Sequence, residues 1–427
     1  MSRPELLGVP LEFLLFAATL FCVAIFHQHT LRVAVWGLAA VVVYKLLFTG
    51  FHGGAGVAGF GAHLAGEWVI LFNLFLLLVG FALLSRHFEE SQVPALLPRL
   101  LPDGWKGGFL LLVMIFVLSS FLDNIAAAII GGTIAATVFN RKVHIGYLAA
   151  IVAASNGGGA GSVVGDTTTT MMWIDGVSPL SVFEAYAGAV TALVIFGIAA
   201  AIQQHSHQPI RKDSPVGIQV DWSRVAIVAL ILVAAMTVNV LVNTRYTAYA
   251  DSLPFIGIAV WAVILLTAGW RKPDWQVVPV AVRGSVFLLS LVLMASLMPV
   301  EKLPAASWQT TLGLGFVSAV FDNIPLTALA LKQGGYDWGF LAYAVGFGGS
   351  MLWFGSSAGV ALSNLFPEAR SVGLWLRHGW HIAVAYVIGF FVLLMVVGWH
   401  PDTPHKAPPA AVSPALAEVH SLGSSGR

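Results

Sequence analysis

Long apolar segments alternate with short polar ones along the whole chain, and most of them approach the ~20 residues with which a helix crosses a bilayer. The apolar runs cover 7–26, 31–49, 67–84, 108–139, 145–174, 181–203, 224–243, 253–269, 284–300, 307–332, 339–365 and 375–399. Because backbone polar groups in lipid must bond within the protein, runs of this kind predict helices. The pattern therefore predicts an all-α polytopic membrane protein.

Two of the runs do not fit a single crossing. The run 108–139 consists of two apolar arms that meet at the polar pair Asp123-Asn124. Each arm has about 15 residues, or roughly 22 Å of helix, whereas the hydrocarbon core is ~30 Å thick. One continuous helix would be too long and each arm alone is too short, so we expect a re-entrant helical hairpin. The run 307–332 indicates a second hairpin, with its tip at Asp322-Asn323.

Each predicted hairpin is followed by a glycine-rich run, which predicts a broken transmembrane helix. The first, about 145–174, contains SNGGGAGSVVGDTTTTMMW, and the second, about 339–365, contains GFGGSMLWFGSSAGV. The glycines expected at the helix breaks are Gly157, Gly158, Gly165, Gly348, Gly349 and Gly355. Broken backbone at membrane depth is tolerated only against protein or a water-filled cavity. The other glycine-rich stretch, 49–66, predicts a tight extracellular loop.

The same order of elements occurs twice: three spans, a hairpin, a broken span and one further span. A hairpin leaves the membrane on the side where it entered, so each half crosses five times and the second half must be inverted. The chain is thus predicted to contain two inverted repeats, the usual plan of secondary transporters. The repeats are 1–203 and 224–399, joined by a polar linker, 204–223, and followed by a disordered tail, 400–427.

Composition and charge agree with this plan. The chain is 58% hydrophobic and 10% charged, whereas soluble domains carry about 25% charged residues. A net charge of +1 gives no indication of nucleic-acid binding, and a single cysteine excludes a disulfide within the chain. Fourteen Lys and Arg residues fall on one side of the predicted topology and seven on the other. By the positive-inside rule both termini face outward, and we expect a bacterial inner (plasma) membrane protein.

Asp123 and Asp322 are the first candidates for chemistry. The simplest interpretation is that each caps the second arm of its hairpin, with the following asparagine completing the turn. A charge at membrane depth costs at least ~2.5–3.5 kcal/mol on insertion scales, however, and such residues usually mark ion or proton pathways. A serine would cap as well without that cost, so their presence at both tips favours a functional role.

Asp166 is the third candidate, in the sequence Gly165-Asp166-Thr167-Thr168-Thr169-Thr170. It could simply cap the half-helix that follows. Alternatively, its carboxylate, neighbouring hydroxyls and freed carbonyls form a cation site, since hard cations prefer oxygen ligands. Ser356 stands where the second half would need an acidic counterpart, which makes Asp166 the favoured proton-exchanging group.

Other polar side chains near the tips and breaks are plausible oxygen donors as a set, although packing would explain any one of them. The predicted cation- and proton-binding residues are Asp123, Asn124, Asn156, Ser162, Asp166, Thr167, Asp322, Asn323, Ser356 and Ser357. The supporting residues are Ser119, Thr168, Ser318 and Thr327. No feature of the chain indicates an enzyme, and no cofactor is expected apart from Na⁺ as the transported ion.

The segments SSFLDNIAAA and SNGGGAGSVVGDTTTTMMW resemble those of the NhaD-type sodium/proton antiporters of the ion transporter superfamily, whose relatives include arsenite permeases and citrate or dicarboxylate transporters. The resemblance covers about 67–399. It implies inverted repeats with re-entrant hairpins, a homodimer and an elevator-like movement. It also implies that ions bind at Asp123-Asn124 with 156–167 and at Asp322-Asn323 with 346–357.

Two functions from different classes of substrate follow from these observations. The first is exchange of Na⁺ (or Li⁺) for H⁺ by alternating access, because burial favours the protonated form of a carboxyl group and a cation favours the charged form. The alternative is Na⁺- or H⁺-coupled transport of citrate, a dicarboxylate or an arsenite-type anion. The dicarboxylate transporters carry Ser-Asn-Thr at their tips, whereas this chain carries Asp-Asn-Ile, which disfavours an anionic substrate. A non-transporting receptor or assembly factor is a third interpretation.

Overall fold

The computed structural model describes residues 5–6, 8–26, 29–51, 54–211, 218–246 and 249–402. Within these ranges the fold is all-α, apart from a short antiparallel pairing of β1 (Glu5–Leu6) with β2 (Val9–Pro10). The predicted disordered tail lies outside the described residues from position 403 onward.

The first half of the chain forms ten α-helices in the described residues. They are α1 (Leu11–Ile25), α2 (Thr30–Tyr44), α3 (Gly56–Glu90), α4 (Val93–Leu96), α5 (Trp105–Ser119), α6 (Asn124–Val138), α7 (Ile145–Ala160), α8 (Thr167–Ile174), α9 (Pro179–Phe183) and α10 (Ala185–His207). A π-helical turn, Lys45–Thr49, extends α2, and a 3₁₀ turn covers Leu97–Leu100.

The second half forms eight more α-helices in the described residues. They are α11 (Trp222–Arg245), α12 (Phe255–Thr267), α13 (Val278–Ser296), α14 (Trp308–Ser318), α15 (Asn323–Gln333), α16 (Trp338–Gly348), α17 (Ser357–Leu365) and α18 (Val372–Val396). Short 3₁₀ turns cover Trp275–Val277, Val300–Lys302 and Pro367–Arg370.

Six helical segments of the described residues are long and apolar enough to cross a membrane. They are Thr30–Thr49, Gly56–Glu90, Pro179–His207, Trp222–Val242, Trp275–Ser296 and Val372–Val396. Large apolar side chains on the outside of the molecule are strongly exposed, with Trp36 at 74% and Leu266 and Met395 at 83%. Such exposure would be costly in water, so the fold is consistent with a polytopic membrane protein.

Two predicted spans are shorter than expected, and one predicted loop is wrong. Helices α1 and α12 have 15 and 13 residues, and each begins directly after a proline, Pro10 or Pro254. The residue before a proline disfavours the α conformation, which stops each helix from extending backward. In contrast, α3 begins at Gly56, so most of the stretch predicted as a tight loop is helical. A Cβ at Gly59 would collide with the backbone of Gly54, so this glycine permits a close approach within a folded segment.

The helix interruptions occur where the polar and glycine-rich signals predict them. Residues 120–123 separate α5 from α6, and residues 319–322 separate α14 from α15. Residues 161–166 separate α7 from α8, and residues 349–356 separate α16 from α17. The turns 120–123 and 319–322 are hereafter the first and second tips, and the other two interruptions are the first and second breaks.

The helices pack into two bundles, each of which contains helices from both halves of the chain. The first bundle consists of α1–α3 and α11–α13, and the second consists of α5–α10 and α14–α18. Helices α7, α8 and α16 lie at the centre of the second bundle, where nearly all of their residues are buried. An ion pair between Glu67 of α3 and Lys332 of α15, 3.1 Å apart, joins the two bundles.

The linker between the halves is shorter than predicted, because α10 continues to His207 and α11 begins at Trp222. Residues 212–217 of the predicted linker lie outside the described residues. Near its end, the Arg271 guanidinium lies 2.8 Å from the Asp221 carboxylate and holds the pKa of that carboxyl below its usual value. Arg224 pairs with Glu90 of α3 at 2.7 Å, so the linker end is tied to the first bundle.

Candidate functional site

The two tip aspartates have the same local role. Asp123 caps the N-terminus of α6 and accepts a hydrogen bond from the Ile125 amide at 3.2 Å. Asp322 caps α15 and accepts one from the Ile324 amide at 3.0 Å. Both residues have φ −52° and ψ 139°. The capping interpretation is therefore correct for both, and it leaves carboxylate oxygens available for a further partner, because each cap uses one lone pair of a group with about four.

The first and second breaks are also locally alike, with a different capping residue. Asp166 caps α8 and accepts a hydrogen bond from the Thr168 amide at 3.1 Å. Ser356 caps α17 and accepts one from the Gly359 amide at 3.3 Å. The backbone is extended at both, with φ −142°. Asp166 and Ser356 thus occupy equivalent positions, as the spacing of the glycines predicts, and only the first break carries an acid.

The glycines act mainly by allowing close approach, and this corrects the interpretation of several as helix breakers. Gly157 and Gly158 lie inside α7, and Gly348 is the last residue of α16. A Cβ at Gly158 would lie 2.8 Å from the carbonyl carbon of Phe116 on α5, and one at Gly348 would meet the backbone of Gly315 on α14 at similar distance. Gly349 ends α16 as its C-cap residue, whereas Gly165 and Gly355 lie within the breaks, against the backbone of the hairpin helices.

Serine hydroxyls fix α5 to α7 and α14 to α16. Ser119 donates to the Ser155 carbonyl at 2.5 Å, and Ser318 donates to the Val345 carbonyl at 2.7 Å. These two bonds join equivalent positions of α5–α7 and α14–α16. Ser119 and Ser318 are fully buried, so they hold the tips in place through backbone carbonyls.

Further hydroxyl contacts organise the segments beside the tips. Ser162 donates to the Ser120 carbonyl at 2.6 Å, and Ser120 donates to the Gly158 carbonyl at 3.1 Å. The Tyr186 hydroxyl donates to the Ser120 hydroxyl at 2.7 Å. At the second tip, the Thr327 hydroxyl donates to the Asn323 carbonyl at 3.0 Å.

The tip asparagines point into the centre of the second bundle. Asn124 donates through Nδ2 to Asn156 Oδ1 at 3.1 Å. The Nδ2 group of Asn156 in turn donates to the hydroxyls of Ser350 and Ser356, both at 3.0 Å. Asn156 is fully buried on α7, so the first tip is connected through it to the second break.

The second tip makes the reciprocal connection to the first break. Asn323 donates through Nδ2 to Asp166 Oδ2 at 3.3 Å, and Ser357 donates to Asp322 Oδ2 at 3.1 Å. Asp166 is only 2% exposed. We call this connected set the polar ring. Its members are Asp123-Asn124, Asn156, Ser356-Ser357, Asp322-Asn323 and Asp166. Hydrogen bonds and chain neighbours join them in this order, and the first and last members, Asp123 and Asp166, meet only across the cavity that both line.

Two cavities adjoin the polar ring. The smaller, of about 20 Å³, is lined by Asp123, Asp166 and Thr167, and its other wall is apolar and belongs to α3. A water-sized species needs roughly 10–15 Å³, so this cavity has room for one. The larger, of about 240 Å³, is lined by Asp322 and Ser357 together with apolar side chains of α1 and α13 and with Thr30 of α2.

Oxygen is the prevailing ligand chemistry at these cavities. No cluster of three or more His, Cys, Asp or Glu side chains suited to a metal occurs in the described part of the chain. The smaller cavity combines two carboxylates with a threonine hydroxyl, a set that suits a hard cation better than a transition metal.

The structure thus brings the ten predicted cation- and proton-binding residues together around the two tips and the two breaks. The sequence interpretation missed Ser350, Ser120 and Tyr186. Ser350 lies within the glycine-rich segment and could have been included for that reason, whereas Tyr186 lies in an ordinary apolar helix and gives no signal of its own.

Comparison with known proteins adds no assignment: no protein-family model matches the chain, and no curated protein matches it.

Proposed function

We propose that the protein is a secondary active transporter that exchanges Na⁺ (or Li⁺) for H⁺ across a membrane by alternating access. One observation carries the proposal above the others. Asp166, which is buried, and Asp123, which is half-buried, line one cavity large enough for a single water-sized species. Two carboxylates at such a site favour a bound cation, and the same oxygens can instead bind a proton.

The chemistry needed from the site is modest. A sodium ion is a hard cation that takes oxygen ligands, and the cavity offers them from Asp123, Asp166 and the Thr167 hydroxyl. When the cation leaves, the two carboxylates repel each other in surroundings of low dielectric, so at least one of them takes up a proton. Cation and proton therefore compete for the same oxygens, which couples their movements in opposite directions.

We further propose that the two halves are inverted repeats with re-entrant hairpins. Matching tip caps, matching break caps and the equivalent serine bonds of Ser119 and Ser318 support this. The hairpin helices support it as well, since α5 has 15 residues and α14 has 11, about 22 and 16 Å, against a hydrocarbon core of ~30 Å. Fourteen Lys and Arg residues on one side of the predicted topology, against seven on the other, favour an inner-membrane protein with both termini outward.

Alternating access requires the two tips to differ in accessibility at any one time. A cavity of about 570 Å³ lies against Ser120 and Phe121 of the first tip, but the tip carboxylates themselves differ, since Asp123 lines a cavity of about 20 Å³ and Asp322 lines one of about 240 Å³. We interpret the difference as one state of a cycle in which the second bundle moves against the first. An elevator-like course for that movement and a homodimeric assembly are proposals that rest on the resemblance to sodium/proton antiporters.

Transport of citrate or another organic anion is less well supported. Pockets for organic ligands are usually about 300–1,000 Å³, and both cavities lined by the aspartates are smaller. The three aspartates around these cavities would also repel an anion. The cavity of about 570 Å³ beside Ser120 and Ser162 is large enough, but no Lys, Arg or His side chain of the described residues lines it to bind an anion.

The decisive experiment uses everted membrane vesicles and a fluorescent reporter of the transmembrane pH gradient. Adding Na⁺ or Li⁺ to vesicles with the wild-type chain should dissipate the gradient, whereas K⁺, citrate and succinate should not. Asp123→Asn and Asp166→Asn should abolish the response, while Asp274→Asn, a surface carboxylate of the first bundle, should retain it. Unchanged exchange in both core variants would contradict the site assignment, and uptake of labelled citrate without cation-driven proton movement would favour the anion alternative.

A further inference from the structure

The polar ring connects each tip by hydrogen bonds to the break of the opposite half. From the first tip, Asn124 reaches Asn156, and Asn156 reaches Ser356 of the second break. From the second tip, Asn323 reaches Asp166 of the first break. Each tip is therefore hydrogen-bonded into the break on which the opposite tip depends.

Asn156 has a special position in this arrangement because it has no counterpart in the other half. The glycine spacing aligns Asn156 with Gly346, where a Cβ would lie 3.3 Å from the Cβ of Ala160 and 3.6 Å from Asp166 Oδ2. The place that a second asparagine would take is thus next to the Asp166 carboxylate. The first half therefore supplies both Asn156 and Asp166. The second half has Gly346 beside Asp166, which leaves room for that carboxylate.

The Asn156 amide has a hydrogen-bond partner for its oxygen and for both of its hydrogens. Its oxygen accepts from Asn124, and its NH₂ group uses both hydrogens on Ser350 and Ser356. A displacement of the first tip must therefore shift or break bonds to the second break. Each buried polar group left without a partner costs about 1–3 kcal/mol, so the tip and the break are expected to move together.

A cation in the cavity of Asp123 and Asp166 would also affect the hydrogen bond from Asn323 to Asp166. Asp166 Oδ2 accepts from Asn323, so a cation on that carboxylate competes with the asparagine NH₂ for the oxygen lone pairs. The position of the second tip then depends on the occupancy of that cavity.

We infer that Asn156 is a positioning residue that couples two cation sites, one in the cavity of Asp123 and Asp166 and the other in the cavity lined by Asp322 and Ser357, so that occupancy of one changes the affinity of the other. The inference rests on the proposed function, since it takes Na⁺ as the ligand. Coupling between sites is usually 1–3 kcal/mol, or about 5- to 150-fold in affinity.

The test is Na⁺ titration of the purified full-length chain in detergent, followed by calorimetry, in the wild type and in Asn156→Ala. We expect cooperative binding to two sites in the wild type. In Asn156→Ala both sites should still bind, but independently, with a Hill coefficient near 1. A loss of fold stability alone would not produce that change, because it would lower the number of competent molecules without altering the shape of the curve.

Gln204→Ala is the matched control. Gln204 is also fully buried, and its amide holds the start of α7 through the His144 amide at 2.7 Å and the Lys142 carbonyl at 3.1 Å. It should lose stability like Asn156→Ala and keep cooperativity. If Asn156→Ala does not fold, Ser350→Ala is the second variant, because it removes one of the two hydroxyls to which Asn156 donates. It should reduce the coupling about two- to fivefold, which is part of the usual range.

The outcomes separate the inference from the proposed function. Na⁺ binding with independent sites in the wild type, or unchanged cooperativity in Asn156→Ala and Ser350→Ala, overturns the coupling role and leaves the antiporter proposal standing. No Na⁺ binding by the wild type overturns both. Cooperativity that is lost in Asn156→Ala and kept in Gln204→Ala supports the inference.

Discussion

The contact between α5 and α7 at Gly158 gives the sharpest test of how the hairpin is held. A Cβ at this position would lie 2.8 Å from the carbonyl carbon and 3.0 Å from the Cα of Phe116, and it would also collide with the Phe116 carbonyl oxygen. Ordinary contacts begin near 3.4 Å, so Gly158→Ala requires the helices to separate by about 0.6 Å to clear the carbonyl carbon and by more to clear its oxygen. The obstacle is backbone, which cannot rotate away as a side chain could.

Two energies of opposite sign decide the result. Alanine in place of glycine favours a helix by about 1 kcal/mol, while overpacking a tight contact usually costs about 1–3 kcal/mol. Because backbone meets backbone, we expect the upper part of that range and a net destabilisation of about 1–2 kcal/mol. Gly348→Ala should behave in the same way, since its Cβ would meet the backbone of Gly315.

Gly108→Ala is a matched control in the same interface. Its Cβ would lie 3.5 Å from the Tyr147 ring and 3.6 Å from the Ala201 side chain, which are ordinary contacts. We therefore expect Gly108→Ala to be neutral or slightly stabilising. The measurement is thermal unfolding of the detergent-purified variants, followed by intrinsic tryptophan fluorescence. If Gly158→Ala melts at the same temperature as Gly108→Ala, the close approach of α5 and α7 does not limit stability and the argument fails.

Three further predictions concern interactions around the two bundles. Glu67→Gln or Lys332→Gln should each lower the free energy of unfolding by less than about 1 kcal/mol, because the two side chains are about one quarter exposed. The double variant Glu67→Lys with Lys332→Glu should restore the melting temperature at low salt. The Asp221 carboxyl has a lowered pKa in the folded chain, so its contribution is present above its unfolded pKa of about 3.9 and is lost as pH falls below it. Melting curves of wild type and Asp221→Asn should therefore differ at pH 7, and the difference should shrink as the pH falls below about 3.9. Tyr186→Phe removes the bond to the Ser120 hydroxyl and should cost about 1 kcal/mol in the same melting assay.

The positions of the helix interruptions could be predicted from the sequence with little ambiguity. An Asp-Asn pair between two apolar arms has few explanations, and capping geometry is a local property that the residues themselves determine. Asp123, Asp322 and Asp166 accordingly cap the helices that the sequence assigned to them. Their binding of Na⁺ and H⁺ remains a prediction.

Glycines and long-range contacts were harder to interpret. A glycine can mark a break or a close approach, and sequence alone does not distinguish Gly158, inside α7, from Gly165, inside the first break. The bonds of Asn156 to Ser350 and Ser356 span 194 and 200 residues, so no local pattern reveals them. The lengths of α1 and α12 were overestimated because a proline within an apolar run can stop a helix from extending backward.

Burial of α7 on all sides has a consequence for biogenesis. Every residue of this helix from Gly146 onward is buried, and part of its surface is covered by α16, α17 and α18, which are synthesised about two hundred residues later. A nascent chain that ends after α10 would therefore lack Ser350 and Ser356, the two acceptors of the Asn156 NH₂ group. The first half should be a poor substrate for stable insertion by itself, and quality-control proteases should remove it until the second half arrives to enclose it.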